Sequence, residues 1–238
     1  MEIIFIALLT IFASLVGTMS GFGTSTIMVP ILSLFIPIPL TLFLVGIIHW
    51  FGDIWKMILF RSGINWKLLI FFGGFGILAS YLGASLVLDI PHNTLTKVLG
   101  GFLIAYVILL FLKPKFKLPE NILTASTGGL LSGFCAGIFG IGGAIRGLFL
   151  SAFDLKKSIY IFTSGAIAFF IDSTRIATYF FEGIELERTL LLGLLVFIPA
   201  SFLGAKLGKI LVGKIPQNKF RMVIGIFLFI VGVKLLIF

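Results

Sequence analysis

Two long apolar segments of this chain are each interrupted near the middle by a cluster of glycines. The first runs from Ser14 to Pro30 and contains Gly21, Phe22 and Gly23; the second runs from Gly128 to Leu148 and contains Gly140, Gly142 and Gly143. Apolar runs of this length predict membrane helices, but neighbouring glycines lack the side chains that stabilise a helix. We therefore predict that both helices break at these glycines. Broken helix inside a bilayer is tolerated only where its free backbone groups are buried in protein or face a polar cavity.

The composition places the whole chain in a membrane. Of its 238 residues 59% are hydrophobic and 11% are charged, and the mean hydropathy is +1.22, which excludes a soluble globular protein. The lipid bilayer is the expected partner, in one membrane domain over residues 1–238. The net charge of +9 does not require nucleic acid, because the basic residues lie in short loops where they set membrane orientation. The single Cys135 excludes an internal disulfide or a cysteine metal cluster, and we predict no metal and no cofactor.

The chain divides into two similar halves, residues 1–118 and 119–238. Gly23 and Gly142 are 119 positions apart, and the same offset relates Asp53 to Asp172. Repeats of this kind are typical of transporters. The predicted fold is therefore an all-α polytopic membrane protein with two homologous four-segment repeats. Each repeat has one glycine-broken segment, over 2–36 and 120–153, followed by three spans, over 40–60, 66–88 and 94–112 in the first half and 158–181, 188–211 and 219–238 in the second.

The distribution of basic residues favours broken segments that re-enter the membrane rather than cross it. If all eight segments cross, sixteen Lys and Arg divide eight against eight, which gives no orientation. If both broken segments return to the side they came from, thirteen of these Lys and Arg residues lie on one side of the membrane. Only Lys97, Arg188 and Lys234 lie on the other side. The positive-inside rule then predicts six full crossings, inverted repeats and both termini outside the cytoplasm. A straight helix over 2–36 would also be roughly 50 Å long, too long for one crossing without strong tilt.

The residues after each break predict an anion-binding site. Helix N-termini carry partial positive charge, and glycines let a ligand approach the backbone closely. The break residues predicted to contact the substrate are Gly21, Phe22, Gly23, Gly140, Gly142 and Gly143. The first break is followed by Thr24, Ser25 and Thr26, whose hydroxyls add donors. The second is followed by Arg146, whose fork of donors suits oxyanions and whose burial in lipid is costly. The alternatives are that Arg146 pairs with Asp53 or Asp172, or extends to the cytoplasmic interface.

Other ionisable residues fall within predicted spans. His49 and Asp53 lie four positions apart on one helix, with Lys56 on the same side, and Asp172 and Arg175 repeat the order of acid then base in the second half. One interpretation is that each aspartate neutralises the base on its own helix. The other is that Asp53 with His49 takes up and releases protons during transport, because histidine changes charge near physiological pH.

The Gly-Phe-Gly break with following small polar residues, its Gly-x-Gly-Gly counterpart and the duplication together resemble the sulfite exporter TauE/SafE family. The resemblance covers essentially the whole chain. It implies a transporter of the bacterial or archaeal inner membrane for small anions, often sulfur oxyanions or organosulfonates such as sulfite and sulfoacetate. One departure is Arg146, at a position where family members commonly carry an apolar or small polar residue.

Transport of a small anion by alternating access, with the two glycine tips meeting near the midplane, is therefore the predicted function. The chain contains no nucleotide-binding motif, no HExxH and no serine elbow, so neither direct use of ATP nor an intramembrane enzyme is expected. The alternatives are an intramembrane scaffold or assembly protein, or a transporter of another small solute. A homodimer is left open by the sequence.

Overall fold

The protein is entirely helical in the part of the chain that the structure describes. This computed structural model describes residues 2–21, 23–61, 63–112, 118–212, 214 and 217–237, and these residues form ten helices and no strand. The helices are α1 (Glu2–Ser20), α2 (Thr24–Leu32), α3 (Ile38–Leu59), α4 (Trp66–Ser85), α5 (His92–Leu112), α6 (Ile122–Phe139), α7 (Gly142–Leu150), α8 (Lys157–Phe181), α9 (Arg188–Leu211) and α10 (Gln217–Ile237). Helix α4 contains a π-helical turn at Leu69–Gly73.

Six of the described helices are long and apolar enough to cross a membrane, which makes the chain a multi-pass membrane protein. They are α1, α3, α4, α6, α8 and α9. Four of them, α3, α4, α8 and α9, coincide with predicted spans to within three residues at either end. Helices α5 and α10 occupy the other two predicted spans, and their described parts include the apolar stretches Asn93–Ile108 and Leu228–Ile237.

Both predicted helix breaks are confirmed. Helix α1 ends at Ser20 and α2 begins at Thr24. Gly21 and Gly23, which lie between them, have φ angles of 83° and 126° that side-chain-bearing residues rarely adopt. Helix α6 ends before Gly140, whose φ is 68°, and α7 begins at Gly142. Phe22, predicted to contact the substrate, and the basic stretch 113–117 lie outside the described residues.

After each break a nine-residue helix folds back along the helix before it. In the first hairpin Gly17 lies against Thr24, and the hydroxyl of Thr10 donates to the sulfur of Met28 at 3.9 Å. Because residue numbers rise along one helix as they fall along the other, α2 runs antiparallel to α1. In the second hairpin the hydroxyl of Ser132 donates to the carbonyl of Gly142 at 2.8 Å, and Gly128 lies against Phe149. Helix α7 is therefore antiparallel to α6.

Glycines allow each hairpin to pack tightly against one long helix of the other half. A Cβ atom at Gly133 would overlap the carbonyl of Gly76, so the backbones of α6 and α4 are in contact there. A Cβ atom at Gly204 would likewise overlap the carbonyl of Ile11, which brings α9 against α1. Gly76, Gly133 and Gly204 therefore serve close packing between helices.

Helices α3 and α8 cross at the centre of the molecule and run antiparallel. The indole of Trp50 donates to the hydroxyl of Ser173 at 2.8 Å, while Gly165 of α8 packs on Lys56 of α3. Helix α4 supports α8 through a hydrogen bond from the Ser80 hydroxyl to the carbonyl of Ile171 at 3.1 Å. The ionisable side chains in the middle of α3 and α8, from His49 to Lys56 and from Asp172 to Arg175, are therefore buried between helices.

Candidate functional site

Six aspartate, histidine, lysine and arginine side chains are buried in the interior of the described structure. They come from α3, α7 and α8, and none is more than 3% exposed: His49, Asp53, Lys56, Arg146, Asp172 and Arg175. The sequence indicated all six as candidates. Burial of charge at this depth is costly unless each charge has a partner, so the partners indicate which of them are structural and which await a ligand.

Each aspartate binds the base one turn further along its own helix. The Nζ atom of Lys56 donates to Oδ1 of Asp53 at 2.8 Å, and Nε of Arg175 donates to Oδ1 of Asp172 at 2.7 Å. Both pairs are therefore neutral as units. Lys56 and Arg175 are themselves 119 positions apart, as the two aspartates are.

His49 lies between the two carboxylates and links the halves of the molecule. Its Nδ1 atom is 2.5 Å from Oδ2 of Asp172 and 3.3 Å from Oδ2 of Asp53. The sequence predicted the contact with Asp53 on the same helix but not the shorter one with Asp172 across the interface. Three such groups could also hold a metal ion, since their ligand atoms lie within 4.8 Å of one another. However, the 2.5 Å between Nδ1 of His49 and Oδ2 of Asp172 is a hydrogen-bond distance. Two ligands of one ion each lie about 2 Å from the metal on different sides of it, so they are farther apart than this.

Arg146 is the buried base that has no acid partner in the described part of the chain. Its Nε atom donates to the hydroxyl of Ser164 at 3.0 Å, and that hydroxyl donates in turn to the carbonyl of Gly21 at 3.0 Å. Its Nη2 atom is buried and has no hydrogen-bond partner among the described residues. At 2% exposure the side chain does not extend to an interface. Pairing with Asp53 or Asp172 is also wrong, because those carboxylates hold Lys56, Arg175 and His49.

The first break presents several donors beside this arginine. Gly23 is the N-cap of α2, and no side chain caps the amides of the first turn. Thr24, Ser25 and Thr26 follow it and are all buried. The hydroxyls of Thr24 and Thr26 have no hydrogen-bond partner among the described residues. An uncapped helix N-terminus and buried free hydroxyls can bind a negatively charged group.

At the second break the amides that close α6 are occupied, whereas the first turn of α7 has no side-chain cap, as in α2. The amide of Gly140 donates to the carbonyl of Ala136 at 2.9 Å, and the amide of Ile141 donates to that of Cys135 at 3.2 Å, which closes α6. Gly142 packs so closely on Ser132 that a Cβ atom would overlap its carbonyl, and Gly143 is buried beside it. The turn and its packing account for the close contacts of these glycines, and their contact with a ligand stays a prediction.

The second glycine tip lies beside α2 and α3, and the expectation that the two tips meet near the midplane stays a prediction. Gly140 lies against Val29 of α2 and Leu42 of α3. Val29 is six residues beyond Gly23, or about 9 Å at 1.5 Å per helical residue. The hairpins overlap side by side, and it is Arg146, through Ser164, that connects the second hairpin to the first break.

Ser164 is the residue that the sequence analysis missed. It is fully buried in α8 and joins Arg146 to Gly21. At the matching position of the first half, 119 residues earlier, stands Val45, and Ile27 likewise stands where the second half has Arg146. Comparison of the two halves position by position would have identified both as polar residues added to one copy alone.

The candidate site is closed to the surface in this structure. The two best-formed hollows in the described part of the chain have volumes of about 510 and 70 Å³. The first lies at the ends of α4 and α8, beside Tyr81 and Phe181, and the second lies beside Asn65 and Phe153. Neither is lined by any of the six buried residues, whose side chains are at most 3% exposed.

Comparison with curated proteins and with solved structures gives no match. The model of one protein family, described as sulfite exporter TauE/SafE, matches residues 6–235 of the chain. This match covers both hairpins and every buried ionisable residue of the site. The chain therefore belongs to the sulfite exporter TauE/SafE family of membrane transporters.

Proposed function

We propose that this protein is a secondary transporter that moves a small anion, a sulfur oxyanion or an organosulfonate, and binds it at the first glycine break. The observation that carries the proposal is the buried Arg146, which has no acid partner among the described residues. Keeping an unpaired guanidinium in a membrane interior costs several kcal/mol, so its retention points to a ligand that supplies the missing negative charge.

The charges of the site support one negatively charged ligand. Lys56 and Arg175 are neutralised by Asp53 and Asp172, so Arg146 leaves the buried set with one surplus positive charge while His49 is neutral. The ligand would bind between the free Nη2 atom of Arg146 and the uncapped first turn of α2. Guanidinium forks and helix N-termini both match the geometry of sulfite, sulfonate and thiosulfate oxygens.

The arrangement of the helices supports an inverted repeat with re-entrant hairpins. Helix α1 packs on α9, and α6 packs on α4, which is the same pairing with the halves exchanged. Because α2 and α7 fold back along α1 and α6, each hairpin would begin and end on one side of the membrane. With six crossings besides, the positive-inside rule puts both termini outside the cytoplasm, in the inner membrane. Alternating access would then open the closed site to each side in turn.

Direct binding and flux measurements test this proposal. Purified protein in proteoliposomes is assayed for uptake of labelled sulfite, thiosulfate and sulfoacetate, and anion affinity is measured by calorimetry in detergent. Arg146→Ala removes the charge and its hydrogen bonds to the anion, each worth about 1.5–3 kcal/mol, so affinity should fall at least tenfold. Arg188→Ala is the matched control, because Arg188 is exposed at the start of α9.

Two results would contradict the proposal. Unchanged affinity of the Arg146→Ala protein would move the anion site away from the first break. The absence of flux for all three anions in the wild-type protein would instead favour the alternatives, an intramembrane scaffold or a transporter of another solute.

A further inference from the structure

We propose that His49, held between Asp53 and Asp172, binds a proton that is transported together with the anion. This inference rests on the proposed function and names its coupling ion. The three residues lie where α3 and α8 cross, apart from the first break, so the proton and the anion would occupy different places in the molecule.

The carboxylates are arranged so that His49 has two alternative partners. Each aspartate uses Oδ1 for the base on its own helix and turns Oδ2 towards the imidazole. Both Oδ2 atoms approach the same ring nitrogen, Nδ1, and one N–H group donates a good hydrogen bond to only one of them at a time. His49 bonds to Asp172 of the second half in this structure, and the 3.3 Å contact with Asp53 offers the alternative partner.

The other ring nitrogen is the place where a proton would be added. The Nε2 atom of His49 is buried and has no hydrogen-bond partner among the described residues. When Nδ1 carries its hydrogen, Nε2 of a neutral imidazole is an acceptor. Protonation there gives an imidazolium beside two carboxylates, an arrangement in which opposite charges favour the added proton.

The charged groups that face the imidazole belong to this cluster, and those on α1 and α9 are exposed. Helix α3 contributes Asp53 and Lys56, and α8 contributes Asp172 and Arg175. Helix α2, packed on α3, has no ionisable side chain. The only ionisable residue of α1, Glu2, and the two lysines of α9, Lys206 and Lys209, are exposed. The two pairs are neutral as units, so a proton on His49 adds one net positive charge to the interior.

That added charge decides which anions are favoured. With His49 neutral, the single surplus charge of Arg146 balances a monoanion. With His49 protonated, two positive charges balance a dianion, such as sulfite, thiosulfate or sulfoacetate above their last ionisation. We therefore expect one proton to be bound with each dianion, taken from water on one side and released to water on the other.

Wild-type protein alone gives the first test. Calorimetric titration with thiosulfate in buffers of different ionisation enthalpy counts the protons bound with each anion, and we expect about one. A count of zero, with normal anion binding, would overturn the inference and leave the proposed function intact. Absence of thiosulfate, sulfite and sulfoacetate binding by the wild-type protein would overturn both.

Variants then identify the residue. In proteoliposomes an inward proton gradient should accelerate wild-type thiosulfate uptake several-fold, and internal pyranine should report acidification. His49→Gln, which cannot supply the second positive charge, should bind thiosulfate more weakly, and at concentrations that restore exchange it should lose both effects. His92→Gln, which removes the second of the two histidines, is the control and should retain them. Gradient-driven uptake that persists in His49→Gln would overturn the assignment. If that variant does not fold, Asp53→Asn, which preserves the contact between His49 and Asp172, is tested instead and should weaken the response to the gradient.

Discussion

The two buried arginines allow a sharp test, because only one of them has an acid partner. Arg175 donates to Asp172 at 2.7 Å, whereas Arg146 donates to the neutral Ser164. We compare Arg175→Leu with Arg146→Ile, the latter placing at position 146 the residue type that stands 119 positions earlier, at Ile27. If Arg146 awaits a ligand, the two substitutions should affect stability very differently although both remove a buried guanidinium.

The expected magnitudes follow from the partners. Arg175→Leu leaves the buried carboxylate of Asp172 without its strongest donor, which costs about 3–5 kcal/mol. Arg146→Ile gives up a charged hydrogen bond worth about 1.5–3 kcal/mol but removes a charge whose insertion into a membrane costs about 2.5–3.5 kcal/mol. These two contributions to the free energy of unfolding nearly cancel. No further hydrogen bond is lost, because Ser164 keeps its bond to the carbonyl of Gly21. The net change should be at most about 2 kcal/mol, in favour of the variant.

Thermal unfolding in detergent, with and without anion, measures both effects. At about 2–4 °C per kcal/mol for a chain of this size, Arg175→Leu should lower the Tm by about 6–20 °C, while Arg146→Ile should keep or slightly raise it. Thiosulfate at about 100 times its Kd stabilises a binding protein by about 2.7 kcal/mol, and this gain should vanish in Arg146→Ile alone. Equal losses of Tm in the two variants, or a full anion response in Arg146→Ile, would refute the reasoning.

Three further predictions concern the serine link, the glycine contacts and the topology. Ser164→Ala frees the guanidinium of Arg146 and should lower anion affinity about tenfold, or about 1.4 kcal/mol; Ser201→Ala, which also removes one accepted and one donated buried hydrogen bond, should leave the affinity measured by calorimetry unchanged. Gly133→Ala should lower the Tm, since overpacking against Gly76 costs about 1–3 kcal/mol; Gly52→Ala, whose Cβ would meet no described atom within 4 Å, should not, and a Tm as low as that of Gly133→Ala would contradict this. Accessibility labels at Lys115 and Phe238 should react from opposite sides of the membrane, and labelling from one side would make the hairpins ordinary crossings.

Local features of the sequence were sufficient to predict the helices and their breaks. The apolar runs end at glycine, proline or charged residues, so α3, α4, α8 and α9 lie close to the predicted spans. The glycines at 21, 23 and 140 adopt positive φ angles, which other residues rarely adopt. Glycine at these positions was therefore a reliable sign of a helix break. The bonds from Asp53 to Lys56 and from Asp172 to Arg175 span one helical turn, a distance that spacing in sequence specifies.

Contacts between helices were not predictable in the same way. Whether His49 meets Asp172 depends on the register of α3 against α8, which is set by packing of glycines such as Gly46 and Gly165 rather than by any local pattern. For the same reason the link from Arg146 to Gly21 through Ser164 could not be derived from spacing. Whether the glycine tips meet near the midplane depends on the same contacts between helices, and it stays a prediction.

Helix α8 offers a physical connection between the proposed proton and anion sites. It carries Ser164 beside the first break and Asp172 beside His49, eight residues or about 12 Å further along. If the hydrogen bond of His49 passes from Asp172 to Asp53, one of the polar links between α3 and α8 at this crossing is lost, while that from Trp50 to Ser173 remains, and α8 is held less firmly. Ser164 would move with the same rigid helix, and Arg146 and the carbonyl of Gly21 would lose the hydroxyl that joins them. On this proposal, coupling needs no chain of proton carriers between the sites. It needs only that α8 has two positions and that the proton and the anion each stabilise one position more than the other.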